Sequence, residues 1–150
     1  MVNKKKIKGT QWENQFVELI IKNIPLTISA KRVVGSGAMG TAMNEPLLKG
    51  DVVANFYGFP RKFRIETKVG YGGDTQLTVK KEWINKIIEE ANETYSYPVV
   101  ACKFSGARKS DGVQYFIILD FNTFCDIINY ANNLKKELDL LYEKLEKEDE

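Results

Sequence analysis

Between Lys80 and Glu93 the residues Trp83, Ile84, Ile87, Ile88 and Ala91 fall on one face of a helix, and short runs that read as strands lie on both sides of it. Before it come Val52 to Phe56 and Phe63 to Val69, joined by turn residues at Gly58-Phe59-Pro60 and expected to form a hairpin. After it come Pro98 to Phe104 and Val113 to Leu119, linked by the polar turn Ser105 to Gly112. Upstream, Trp12, Phe16, Leu19 and Ile20 recur at helical spacing, which predicts a first amphipathic helix from about Gly9 to Asn23, closed before Pro25. A short extended segment, Leu26 to Val34, follows it. The order helix, three strands, helix, two strands, helix predicts an α/β fold with a central mixed sheet of about five strands flanked by helices.

A chain of 150 residues has the size of one catalytic core. Its longest apolar runs, such as Tyr115 to Leu119, fall far short of the roughly 20 residues of a membrane helix, and the charged N-terminus has no apolar segment behind it. A cytoplasmic protein is expected, in the host cytoplasm for a viral chain. Histidine is absent, and Cys102 and Cys125 lack CxxC spacing. Zinc sites and Ser-His or Cys-His catalysis thus lose their usual ligands and bases. Catalysis has to run on carboxylates, lysine and hard metal ions.

The net charge of +2 conceals an asymmetry. Residues 1–81 hold 14 Lys or Arg against 6 Asp or Glu, whereas residues 82–150 hold 8 against 14. A basic half of this kind fits a binder of the phosphate backbone, and equally a solubilising surface beside an acidic tail. Lys31, Arg32, Arg61, Lys62 and Arg64 either contact phosphates or guard strand edges against pairing. Trp12 and Trp83 sit on apolar helical stripes and are expected in the core rather than on bases.

Residues 1–120 are expected to form the core and 121–150 a C-terminal helical extension. In the extension Ile127, Ala131, Leu134, Leu138, Leu141 and Leu145 advance by 4, 3, 4, 3 and 4 residues, the spacing of a coiled-coil seam. Such a face either packs on its own domain or pairs with a second subunit; a homodimer or higher homo-oligomer is the expectation.

Chemistry concentrates at Gly50-Asp51 and, fifteen residues beyond Asp51, at Glu66-Thr67-Lys68. On a strand, residues i and i+2 share a face, so Glu66 and Lys68 project together while Thr67 faces away. With Asp51 at the start of the neighbouring antiparallel strand, two carboxylates lie side by side and repel unless a cation sits between them. Glu13 on the first helix is a further acid set against this pair. Two or three carboxylates suit Mg²⁺, with Mn²⁺ as a substitute. The metal would activate water for phosphodiester hydrolysis, and Lys68 would orient that water or stabilise the oxyanion.

These segments resemble the PD-(D/E)xK nucleases, and among them the archaeal-type Holliday junction resolvases and their viral relatives. Lys8-Gly9-Thr10-Gln11-Trp12-Glu13 is similar to that family's opening helix with its metal-site glutamate, and Arg32 to Gly37 to its serine-bearing loop. Gly50 to Ala54 and Ile65 to Lys68 match its core motif, although Gly50 stands where the family commonly has a proline. The resemblance implies a restriction-endonuclease-like fold and Mg²⁺-dependent DNA cleavage by a homodimer. It also implies a nuclease core over residues 1–120, metal ligation by Glu13, Asp51 and Glu66, and a catalytic Ser36. The basic arm of Lys4, Lys5, Lys6 and Lys8 becomes a DNA contact, and Gln76 the counterpart of a glutamine carried on the helix after the core. A sequence-specific homing or restriction-type endonuclease is the alternative on the same fold. A non-catalytic DNA-binding assembly protein is the alternative outside enzymes, and the presence of all three acids with Lys68 argues against it.

Overall fold

Alternate side chains along the strands are shared between two helices, one on each face of the sheet. The computed structural model describes residues 4–34, 50–70, 73, 75–106 and 112–148, with backbone alone for residues 4–6. In chain order the elements are α1 (Lys4–Asn23), β1 (Thr27–Arg32), β2 (Val52–Phe56), β3 (Phe63–Val69), α2 (Lys81–Glu93), β4 (Tyr97–Lys103), β5 (Tyr115–Ile118) and α3 (Phe121–Glu148). The sheet runs β1-β2-β3-β4-β5, with β3 and β4 parallel and the other neighbours antiparallel. The expected mixed five-stranded sheet, its hairpin and its flanking helices are all present.

One helix differs from expectation: α1 begins at Lys4 rather than near Gly9. Lysine is a good helix former and nothing between Lys4 and Gly9 breaks the turn, so the basic segment is the start of α1, not an extended arm.

Trp12, Phe16 and Ile20 of α1 meet Val52, Ala54, Ile65, Val99 and Ala101 on one face of the sheet. On the other face Ile87 of α2 meets Val100 and Cys102, with Ile84, Phe116 and Ile118 around them. Strand β4 therefore serves both cores, Val99 and Ala101 one way and Val100 and Cys102 the other, and is buried from Tyr97 to Cys102. That accounts for its unbroken apolar composition. Trp12 is 2% exposed and lies 5.4 Å from the Tyr115 ring in a stacked arrangement, a core residue as its stripe predicts.

The chain divides into two compact units, residues 1–119 and 120–150. In the second, Asp120 caps α3: its carboxylate accepts the Thr123 N–H at 3.1 Å and the Thr123 hydroxyl at 2.5 Å. Leu134, Leu138, Leu141 and Leu145 are exposed along α3. No helix among the described residues is long and apolar enough to cross a membrane.

Candidate active site

Pairing between β2 and β3 runs through Val52↔Ile65, Val53↔Arg64 and Ala54↔Phe63. Strand β3 continues to Val69, so beyond Ile65 its edge toward β2 has no strand beside it among the described residues. Asp51 fills the start of this notch. Its N–H donates to the Ile65 carbonyl at 3.0 Å, and its carboxylate accepts the Thr67 N–H at 2.7 Å and the Thr67 hydroxyl at 3.1 Å. A side chain thus satisfies an N–H that a longer β2 would have paired.

The same register sets Asp51 opposite Glu66, which is only 3% exposed. One Glu66 oxygen accepts from Lys68 and the other from Lys86 of α2, the latter at 3.0 Å. Lys68 also lies 5.3 Å above the centre of the Trp83 ring. Alternation along β3 thus puts Glu66 and Lys68 on one face, where Trp83 and Lys86 of α2 meet them. A cavity of about 170 Å³ opens beside Lys68, lined by Lys8, Gly9, Trp12, Thr67 and Trp83.

Burial pushes the Asp51 carboxyl up to about 6, and the adjacent Glu66 adds to the rise; the Thr67 N–H and Lys68 act against it. Burial would raise Glu66 as well, but Lys68 and Lys86 outweigh it and hold that carboxyl below its usual value. Lys86 is correspondingly raised despite its own burial, chiefly by Glu66. Burial also lifts Glu90, against the opposing charge of Lys86 and with Glu66 adding to the rise. Two neighbouring carboxyls are thereby driven apart in proton affinity, a common arrangement where acid and base roles are divided.

Glu13 approaches from the α1 side and pairs with Arg32 Nε. Arg32 stands beside Val52 in the β1–β2 register, on the face that packs against α1, whereas Glu66 is on the α2 face. Among the described residues no three Asp, Glu, Cys or His side chains converge as a group that could hold a metal. Asp51 and Glu66 nevertheless fit a hard cation in their chemistry: they are partly buried oxygen donors close enough to repel.

No family model matches the chain, and no curated protein matches it. Among solved structures it is similar to Archaeoglobus fulgidus Hjc, a Holliday junction resolvase from an archaeal hyperthermophile. The two are 20% identical over 77% of this chain and 86% of that chain, with a TM-score of 0.46.

The other expected site residues are dispersed. Lys31, Arg32, Arg61 and Lys62 line one groove of about 500 Å³ together with Arg64, which is buried and donates to the Thr94 hydroxyl at 3.0 Å. Lys8 donates to the Ser105 hydroxyl at 2.7 Å and borders the cavity beside Lys68. Gln76 is exposed in the segment before α2, not on a helix. Ser36 and the side chains of Lys4, Lys5 and Lys6 lie outside the described residues.

Thr67, Lys86 and Trp83 enter the site in ways the sequence pattern does not show, and Trp83, expected in the core, is instead only partly buried and lines the cavity beside Lys68. Thr67 was assigned to the opposite face, yet its main-chain N–H lies in the sheet plane and reaches Asp51 whichever way the side chain points. Lys86 and Trp83 are three apart on α2, a spacing that puts them together; only the tertiary placement of α2 reveals that they meet Glu66 and Lys68.

Proposed function

We propose that the chain is a divalent-metal-dependent endodeoxyribonuclease of the PD-(D/E)xK type whose substrate is a four-way DNA junction. The observation that carries this reading is Asp51 set against Glu66, with Lys68 on the same face. Asp51 and Glu66 would hold Mg²⁺ or Mn²⁺, with Glu13 as a third ligand once released from Arg32. When bound, such an ion lowers the pKa of a coordinated water and offsets charge on the phosphate.

The chain's own residues do the rest. Thr67 fixes the Asp51 carboxylate through two hydrogen bonds, so its orientation needs no adjustment when substrate arrives. Glu66 and the Trp83 ring hold the Lys68 ammonium at the mouth of the cavity, where it can donate to a phosphate oxygen or an attacking water. Lys86 balances the second Glu66 oxygen, leaving Glu66 ionised in a buried position. The basic groove supports a phosphate-backbone partner, and the exposed leucines of α3 support a homodimer able to offer two sites to a branched substrate. The cytoplasm is the proposed site of action.

The test incubates the protein with Mg²⁺ and, separately, a four-way junction, a linear duplex and a flap. Paired incisions in the junction are expected, and Asp51→Asn should slow them by at least about a hundredfold. Absence of cleavage by the wild type, or undiminished cleavage by the variant, would overturn the reading. Cutting of one duplex sequence in preference to the junction would favour the homing or restriction-type alternative.

A further inference from the structure

Tyr95 is the one non-glycine residue with positive φ among those described, at 50°. It follows α2 in a closed turn: the Ser96 N–H donates to the Ala91 carbonyl at 2.9 Å and the Tyr95 N–H to the Asn92 carbonyl at 3.4 Å. This is a Schellman cap, in which the left-handed position usually belongs to glycine. A bulky side chain there is strained, and strain of this kind points to a role for the side chain. The turn is also held firmly. The Thr94 and Ser96 hydroxyls are 3.1 Å apart, Arg64 donates to Thr94, and the Tyr97 N–H donates to the Lys62 carbonyl at 2.8 Å.

The ring so presented is 72% exposed at the wall of the basic groove. The Arg61 guanidinium lies over it at 5.0 Å and over the buried Tyr97 ring at 4.3 Å, so the aromatic face and the cation are ordered together. Lys31 and Lys62 are exposed along the groove, and Val53 lies in its floor. Cations that follow a backbone beside an ordered, exposed aromatic face are the combination that grips single-stranded nucleic acid, because every unpaired base offers a π-face for stacking. A duplex hides those faces and would leave the ring without a partner.

We propose that this groove binds DNA that unpairs at the crossover of the junction, near the cleavage point, with one base stacked on Tyr95 and adjacent phosphates on Lys31, Arg61 and Lys62. The proposal deepens the nuclease reading and rests on it for the identity of the ligand. Lys62 immediately precedes β3 and Glu66 follows four residues on, roughly 13 Å of extended chain, so the cations of the groove stand away from the scissile phosphate rather than beside it.

Fluorescence anisotropy in EDTA, which separates binding from cleavage, tests this with a labelled 12-nucleotide single strand, a blunt duplex of equal length and a four-way junction. Tyr95→Ala and Tyr95→Gly are expected to weaken single-strand binding about tenfold and Tyr95→Phe to leave it unchanged, with duplex binding unaffected by all three. Tyr95→Gly should at the same time raise the melting temperature by relieving the cap, a gain in stability with a loss of binding that a merely structural tyrosine would not give. Wild-type affinity in Tyr95→Ala, or an equal loss on duplex, overturns the groove proposal alone when Asp51-dependent cleavage persists. Failure of the wild type to bind any of the three DNAs at low salt overturns the nuclease reading with it.

Discussion

Asp51 is held in two ways that oppose each other. Thr67 orients its carboxylate, while burial and Glu66 penalise its charge, so in the metal-free protein it titrates near 6 rather than 3.8. A group whose folded pKa is raised contributes stability that is present in full below the unfolded value and lost as pH rises through the folded one. Metal-free protein should therefore lose stability between about pH 4 and pH 7 through this residue. Asp51→Asn keeps an acceptor for the Thr67 N–H and removes the charge. At pH 8 in EDTA the variant should be more stable than wild type, by on the order of 1–2 kcal/mol after allowance for screening at a group that is not fully buried, with the difference vanishing near pH 4. Urea melts at the two pH values measure it, and a variant less stable at both would show that Asp51 holds the fold together rather than straining it. Arg32 carries a second prediction at this scale. Because it occupies Glu13, Arg32→Gln should tighten Mn²⁺ binding to the DNA-free protein several-fold by calorimetry, and Glu13→Gln in the same chain should cancel the gain.

Among the elements, the start of β2 is the most constrained. Gly50 has φ of +77°, a conformation closed to proline and open to glycine without strain. A Cβ at Gly50 would come within 2.9 Å of Arg64 Cγ, next to a buried guanidinium anchored on Thr94. Gly50→Ala is expected to cost about 1–2 kcal/mol in thermal melts and to lower cleavage by displacing Asp51. The strands and α2 were legible because their apolar patterns repeat at two and at 3.6 residues, and Glu66 with Lys68 because i and i+2 share a strand face. The parallel pairing of β3 with β4 was not, since it depends on where α2 carries the chain. Nor was it legible that Glu13 approaches Asp51 from the α1 side while Glu66 stands on the α2 side: spacing along a sequence orders the acids but does not say which face each helix covers. The start of α1 was missed because a run of lysines reads as a charged arm although each lysine favours the helix it joins.

At the scale of the whole chain, the two units pose separate questions. The first carries the acids, the groove and both cores. The second is a single capped helix whose exposed leucines keep the heptad spacing seen in the sequence. A chain ending before Leu134 should sediment with weaker self-association than the full protein while retaining the thermal transition of residues 1–119; an unchanged mass would remove α3 from the dimer. The β2–β3 hairpin has a further consequence. Its acids stand at one end and its turn, Tyr57 to Lys62, at the other, with the ladder between them fixing the first independently of the second. A change in the turn is accordingly expected to spare the metal-side chemistry while displacing Arg61 and Lys62, so that grip on DNA and cleavage of it can diverge separately among descendants of this chain.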